Sequence, residues 1–175
     1  MSCFIEEEAG QRTAVFIFRR DMLLYDIENY AYIEGSVMNT ETPPHNRHMV
    51  QDVGEEGNIN RVDRVLDMCH AQVKEALYPY TKHEIHNEQL NNKLRQPKVY
   101  GIILSVPEGY SQTTLNFLEK LIHEYLVCRA VEDWMSITNP AKQETWRIKA
   151  EEALGEIRTT MNTRMKRTRI KPHFL

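Results

Sequence analysis

The sequence predicts a mainly α fold: a helical bundle built on a long C-terminal αα-hairpin, with a small two-stranded β element as a minor α+β component. Three observations lead there. Thr114 to Met135 and Pro140 to Thr163 each carry apolar residues at helical spacing over more than five turns. The stretch Ser136-Ile137-Thr138-Asn139-Pro140 between them is too short for anything but an antiparallel return. Only Thr13–Phe18 and Val99–Val106 are short, β-branched and aromatic enough to be strands.

In chain order, residues 1–12 read as a polar leader. The strand at 13–18 follows and is broken by Arg19-Arg20-Asp21. Asp21 is placed to cap a helix running to about Val37, whose main stripe is Leu23, Leu24, Ile27, Tyr30 and Ala31. Tyr25, Tyr32 and Ile33 fall off that stripe. A helix apolar on more than one side is predicted to be wedged between two others in one core, with a subunit interface as the alternative. Residues 38–57, with Pro43-Pro44, Gly54 and Gly57, read as a loop. Asn58 then caps a helix in which Ile59, Val62, Leu66, Cys69, Val73, Ala76 and Leu77 repeat at three and four, ending before Pro79. Residues 81–97 are polar and read as a mobile excursion. The strand at 99–106 pairs with 13–18, and because an isolated ribbon is marginal in water it needs a helical face or another subunit's strand.

Pro107 and Glu108-Gly109-Tyr110-Ser111 lead into the hairpin. Its first helix has a wide apolar face of Leu115, Leu118, Leu121, Ile122, Tyr125, Leu126, Cys128, Val131, Trp134 and Met135. The second has a narrower one of Trp146, Ala150, Ala153, Leu154, Ile157 and Met161. Each helix is about 33–36 Å long at 1.5 Å per residue. Each large side chain buried contributes about 1.5–3 kcal/mol, so the hairpin supplies much of the hydrophobic drive. Asn139 is the expected N-cap and Pro140 the first helical residue of the return. Residues 1–163 are expected to form one domain and 164–175 a basic tail.

Composition narrows the function. Apolar residues make up 41% and charged residues 27%, an ordinary globular profile. No apolar run approaches the roughly 20 residues that cross a bilayer, so no membrane role is expected. Met1-Ser2-Cys3-Phe4-Ile5-Glu6-Glu7-Glu8 carries acids where a signal peptide is basic then apolar, which predicts synthesis and retention in a cytoplasm. Cys3, Cys69 and Cys128 are an odd number without close spacing, against a disulfide framework or zinc knuckle. The net charge of −3 conceals an asymmetry. From Arg158 onward there are 6 basic residues and no acid, leaving 16 bases against 25 acids in the rest of the chain. An acidic body with a basic end implies two contacts at two places.

The candidate site motifs are weak. His45 with His48, and His83 with His86, have one-turn spacing but fall in segments read as loops, so no metal is assigned. His123-Glu124 opens like a zinc-protease helix, but Val127 stands where the second histidine belongs. Glu119 and His123 are four apart where a di-iron bundle uses three. His123 is therefore expected to be a partly buried core-edge residue. Asp52 to Asp63 loosely matches a calcium loop, with Asp52, Glu56, Asn58 and Asn60 as oxygens and Gly57 at the sixth position. Gly54 and Asp63 break the pattern, and turn geometry with capping accounts for the segment. Ser111, Cys69 and Cys128 lack the neighbours of a nucleophile, and no phosphate-binding glycine loop is present. No catalytic residue and no cofactor are assigned.

The tail is the segment that stands out. Arg164, Lys166, Arg167, Arg169 and Lys171 alternate with Met165 and Ile170 and end on Phe174 and Leu175. Such a segment contacts nucleic-acid phosphates, docks as an extended peptide on an acidic groove or sheet edge, or is a solubilising end. The terminal apolar pair favours docking over pure phosphate contact.

The last third of the chain resembles phage head–tail connector (adaptor) proteins, of prophage-encoded type. The likeness lies in a long helix with Leu121, Tyr125, Leu126 and Ala130-Val131-Glu132-Asp133-Trp134, a break at Asn139-Pro140, an Ala/Glu-rich helix with Ala150-Glu151-Glu152-Ala153-Leu154, and the basic tail. The resemblance implies a small helical, non-enzymatic protein of the virion neck. Its copies would form a homo-oligomeric ring under the portal, with the tail reaching the portal protein, a tail-side neck or stopper protein on the other face, and DNA passing through only as cargo. Arg164, Lys166, Arg167, Arg169, Ile170, Lys171, Phe174 and Leu175 would then be the partner-binding residues. The alternative expectation is a nucleic-acid-binding accessory protein using the same tail.

Overall fold

A computed structural model describes residues 3–8, 11–38, 43–77 and 97–163. The elements are β1 (Cys3–Glu8), β2 (Gln11–Arg19), α1 (Arg20–Ser36), α2 (Pro44–Gln51), a 3-10 turn (Asp52–Gly54), α3 (Glu56–Ala76), β3 (Val99–Pro107), α4 (Gln112–Thr138) and α5 (Pro140–Thr163). The fold is mainly α with a minor antiparallel sheet, as the periodicity predicts.

α4 is the centre. From Leu121 to Ser136 not one residue is exposed, because α5, α3, α1, α2 and β2 all pack around it. The expected apolar face is buried apart from the partly exposed Leu121, and Val127 and Ala130 are buried on other sides of the same helix. α4 and α5 are antiparallel neighbours. Their junction is tighter than expected, however, with Asn139 alone between them. Ser136 and Thr138 do not form a turn: their hydroxyls donate to the carbonyls of Asp133 (2.6 Å) and Trp134 (2.9 Å), so they continue the helix.

β2 and β3 pair antiparallel with Phe16 opposite Ile102, and the sheet order is β1-β2-β3. Ala14, Phe16, Phe18, Tyr100, Ile102, Leu104 and Val106 alternate onto the core face. Two expectations are corrected here. The leader 1–12 contains a third strand, β1, paired to β2 with an irregularity between Phe4 and Glu7. Its run of glutamates suits an edge strand, where charge is tolerated, and that composition hides it from a propensity reading. The supposed 38–57 loop contains α2 and the 3-10 turn. Pro44 occupies a first-turn position that wants no N–H. Only Val50 of α2 is buried, so no apolar period marks it.

Caps also differ from expectation. α1 begins after Arg19, and Asp21 pairs with that residue's guanidinium. α3 begins after Glu55, and the Asn58 amide donates to the Asp52 carbonyl at 2.8 Å, tying the 3-10 turn to the helix. Residues 81–96 lie outside the described residues.

Two interactions fix α1. Its first residue, Arg20, forms a bidentate pair with Asp63 of α3 at 2.6 and 2.7 Å, both side chains largely buried. Near its other end, Gly35 lets α2 approach. A Cβ there would lie 2.5 Å from Gln51 Cγ and 3.0 Å from the Arg47 carbonyl oxygen. Breaking the ion pair leaves a buried charge uncompensated. Asp63→Ala is expected to cost about 3 kcal/mol in urea unfolding, and an Arg20→Met/Asp63→Leu double variant to recover part of it. One substitution should also have opposite signs at two helical glycines. A Cβ added at Gly155 meets nothing within 4 Å, so Gly155→Ala should stabilise by about 0.5–1 kcal/mol through helix propensity. Gly35→Ala should destabilise by about 1–2 kcal/mol in the same assay through overpacking.

Candidate functional site

Two surfaces on opposite sides of α4 are the candidates. The first is the outer face of α1 with α2. Met22, Tyr25, Asn29, Tyr32 and Ser36 recur at three and four along α1, and all are exposed. Tyr25 and Tyr32 are 63% and 62% accessible and Ile33 is 48%. The expectation that these residues sit wedged in a core is therefore corrected. α1 buries Leu23, Ile27, Ala31 and Gly35, and α2 packs beside it without covering the tyrosines. The signal for this surface lies in the sequence spacing, but periodicity alone does not say which of two apolar faces is covered. Between α1 and the α2 end a shallow recess of about 340 Å³ is lined by Tyr25, Glu28, Tyr32 and Gln51.

The inner face of α1 is a polar and aromatic ladder onto the hairpin. His123 Nε2 is 2.7 Å from Asp26 Oδ2. The Tyr30 hydroxyl donates to Glu124 at 3.4 Å, and its ring lies 4.9 Å from that of Trp146. The Trp146 indole N–H donates to Glu34 at 3.1 Å, and Lys149 sits 4.0 Å above the Trp146 ring. His123 is thus the half-buried core-edge residue expected. The Trp134 indole N–H donates to the Val50 carbonyl at 2.8 Å, holding α2 against α4.

The second surface is a groove between α3 and α5, with α4 as its floor. It has a volume of about 580 Å³ and is lined by Gln72, Glu75, Tyr125, Arg129, Leu154 and Arg158, among others. It continues past Arg129 into a smaller recess of about 90 Å³ bounded by Val65, Met68 and Ser136. On the floor the Tyr125 hydroxyl donates to Gln72 at 2.7 Å, and burial raises its pKa to about 12. Arg129 pairs with the buried Glu132, and Arg61 forks onto Asp133 at 2.7 and 3.0 Å. No sequence signal marks this groove, because its residues come from three helices and none forms a motif.

The remaining motifs disperse. His45 and His48 lie exposed on α2, which is helical rather than a loop. The 52–63 stretch is 3-10 turn and helix, with Asp63 taken by Arg20. His83, His86 and the tail residues Arg164, Lys166, Arg167, Arg169, Ile170, Lys171, Phe174 and Leu175 lie outside the described residues. Among the described residues no group of three His, Cys, Asp or Glu is placed to hold a metal, and no helix is long and apolar enough to cross a membrane.

Cys69 and Cys128 are buried as small apolar side chains. Desolvation pushes their thiols up to about 11 and about 12 respectively. Comparison with models of known protein families, with curated proteins and with solved structures finds no match to this chain.

The folded thiols hold their protons more tightly than unfolded ones. The stability they contribute is complete below the ordinary value of 9.0 and falls as pH rises from there toward 11 and 12. In a Cys3→Ser background, Ellman's reagent at pH 8 should leave both thiols unmodified in the native protein and label both in guanidinium. Rapid native labelling would contradict their burial.

Proposed function

We propose that this protein is a non-enzymatic structural adaptor of a bacteriophage neck. Copies stand side by side as a ring beneath the portal, the basic tail grips the portal protein, a neck or stopper protein binds the tail-side face, and DNA transits the channel as cargo. The observation that carries the reading is the uncovered outer face of α1. Tyr25 and Tyr32, two helical turns apart and standing in solvent beside Met22 and Ile33, suit a surface that is covered by another protein. The charge division supports it too: an acidic body repels passing DNA while a basic end attaches elsewhere.

A second reading, a nucleic-acid-binding accessory protein, is favoured by the 6 basic residues with no acid from Arg158 onward. Salt separates the two. Phosphate binding through the tail weakens steeply as salt rises, whereas a portal contact with apolar anchors keeps most of its strength.

Mixed with the portal protein of its own phage, the full chain is expected to form rings visible by electron microscopy. Deleting 164–175 should abolish capture by the portal. A chain that stays monomeric with portal present, or a deletion that leaves capture and particle assembly intact, overturns the adaptor reading. Salt-sensitive binding to duplex DNA in its place supports the second.

A further inference from the structure

The ring reading leaves open which surfaces meet, and the inference here rests on it. We infer that the α1–α2 ridge of one copy seats in the α3–α5 groove of the next, head to tail.

Position is the first argument. α4 meets α1 through His123 and Glu124 and meets α2 through Trp134. The groove floor is Arg129, Glu132 and Ser136. At 3.6 residues per turn these two sets lie on opposite sides of the helix. A contact between two different, opposed surfaces is heterologous, and it repeats into a ring or an open filament instead of stopping at a pair.

Shape is the second. One surface is a ridge, with Tyr32 62% and Met49 42% accessible. The other is an elongated depression between two helices, with Met68 half exposed at its far end. An exposed helix edge laid in a groove between two helices extends the bundle across the subunit boundary.

Charge is the third. Among the described residues, Arg47 of α2, Glu28 of α1, Glu75 of α3 and Arg158 of α5 make no ion pair. Each surface thus presents at least one cation and one anion without such a partner, on adjacent helices. Arg47 against Glu75, with Glu28 against Arg158, satisfies all four in one docking. Pairing α1 with its own copy would also cover the tyrosines, but it would leave the groove and its two charges unused.

The test uses full-length chain at high concentration in sedimentation velocity without the portal protein, whose capture of the tail would carry every variant with it. Tyr32→Arg and Met68→Arg change exposed side chains, so both variants should fold, with circular dichroism as the check. Each alone should lose about tenfold or more in association and sediment as monomer. Mixed in equal amounts they should form dimers and nothing larger, because one intact ridge then meets one intact groove. Arg47→Glu and Glu75→Arg should each weaken assembly, and the double variant should restore it. If Tyr32→Arg blocks assembly while Met68→Arg assembles normally, α1 meets some other surface and the inference fails. If both assemble normally, the ring closes elsewhere and the inference fails. In either case the ring reading stands. A wild-type chain that assembles neither alone nor with the portal overturns both.

Discussion

The burial of α4 on every side is the constraint from which the rest follows. A helix with no exposed residue from Leu121 to Ser136 has no stable existence outside a sheath. Its polar residues are accepted only because each finds a partner: His123 with Asp26, Glu124 with Tyr30, Tyr125 with Gln72, Glu132 with Arg129, and Trp134 with the Val50 carbonyl. Four of these contacts tie α4 to α1, α2 and α3. They explain why those helices stand where they do around a single axis, with α5 laid along the side that remains.

The same arrangement decides what is left for other molecules. Four helices cannot close completely around one at ordinary interhelical spacings, so a groove remains between α3 and α5. On the other side α1 spends one apolar stripe on the core and leaves the second in solvent. Both candidate surfaces are therefore by-products of sheathing α4, and their opposition across it is a matter of geometry. Under the adaptor reading proposed above, a contact that repeats around a ring would use such opposed, unlike faces.

Long-range electrostatics complete the picture without altering the fold. The excess of acids over the body of the chain and the run of bases from Arg158 onward separate charge along the sequence. Locally, the ion pairs that matter to stability are the ones shielded from water. Arg20–Asp63 is of this kind, whereas Arg147, with Glu144 and Glu151, forms an exposed cluster on α5 whose raised guanidinium pKa is heavily screened by solvent.

Local chemistry made most of the fold legible from sequence. The hairpin, α1, α3 and the β2–β3 pairing follow from 3.6-residue and two-residue periods, which record burial directly where one face is covered; α4, covered all round from Leu121 to Ser136, shows instead as a wide apolar face over a long run. β1 and α2 escaped because their stabilisation comes from neighbours: β1 is an acidic edge strand, and α2 buries only Val50. The tyrosines of α1 were visible as a second apolar stripe, yet their exposure depended on how many helices surround α1, which no period encodes. The groove was invisible for the same reason, since Glu75, Arg129 and Arg158 become neighbours only when three helices are packed. Sequence alone thus determined which segments are helices and strands and that the charge is divided between body and tail. Tertiary packing alone decided which apolar faces stay uncovered, because exposure is a property of the whole set of neighbours and not of any one segment.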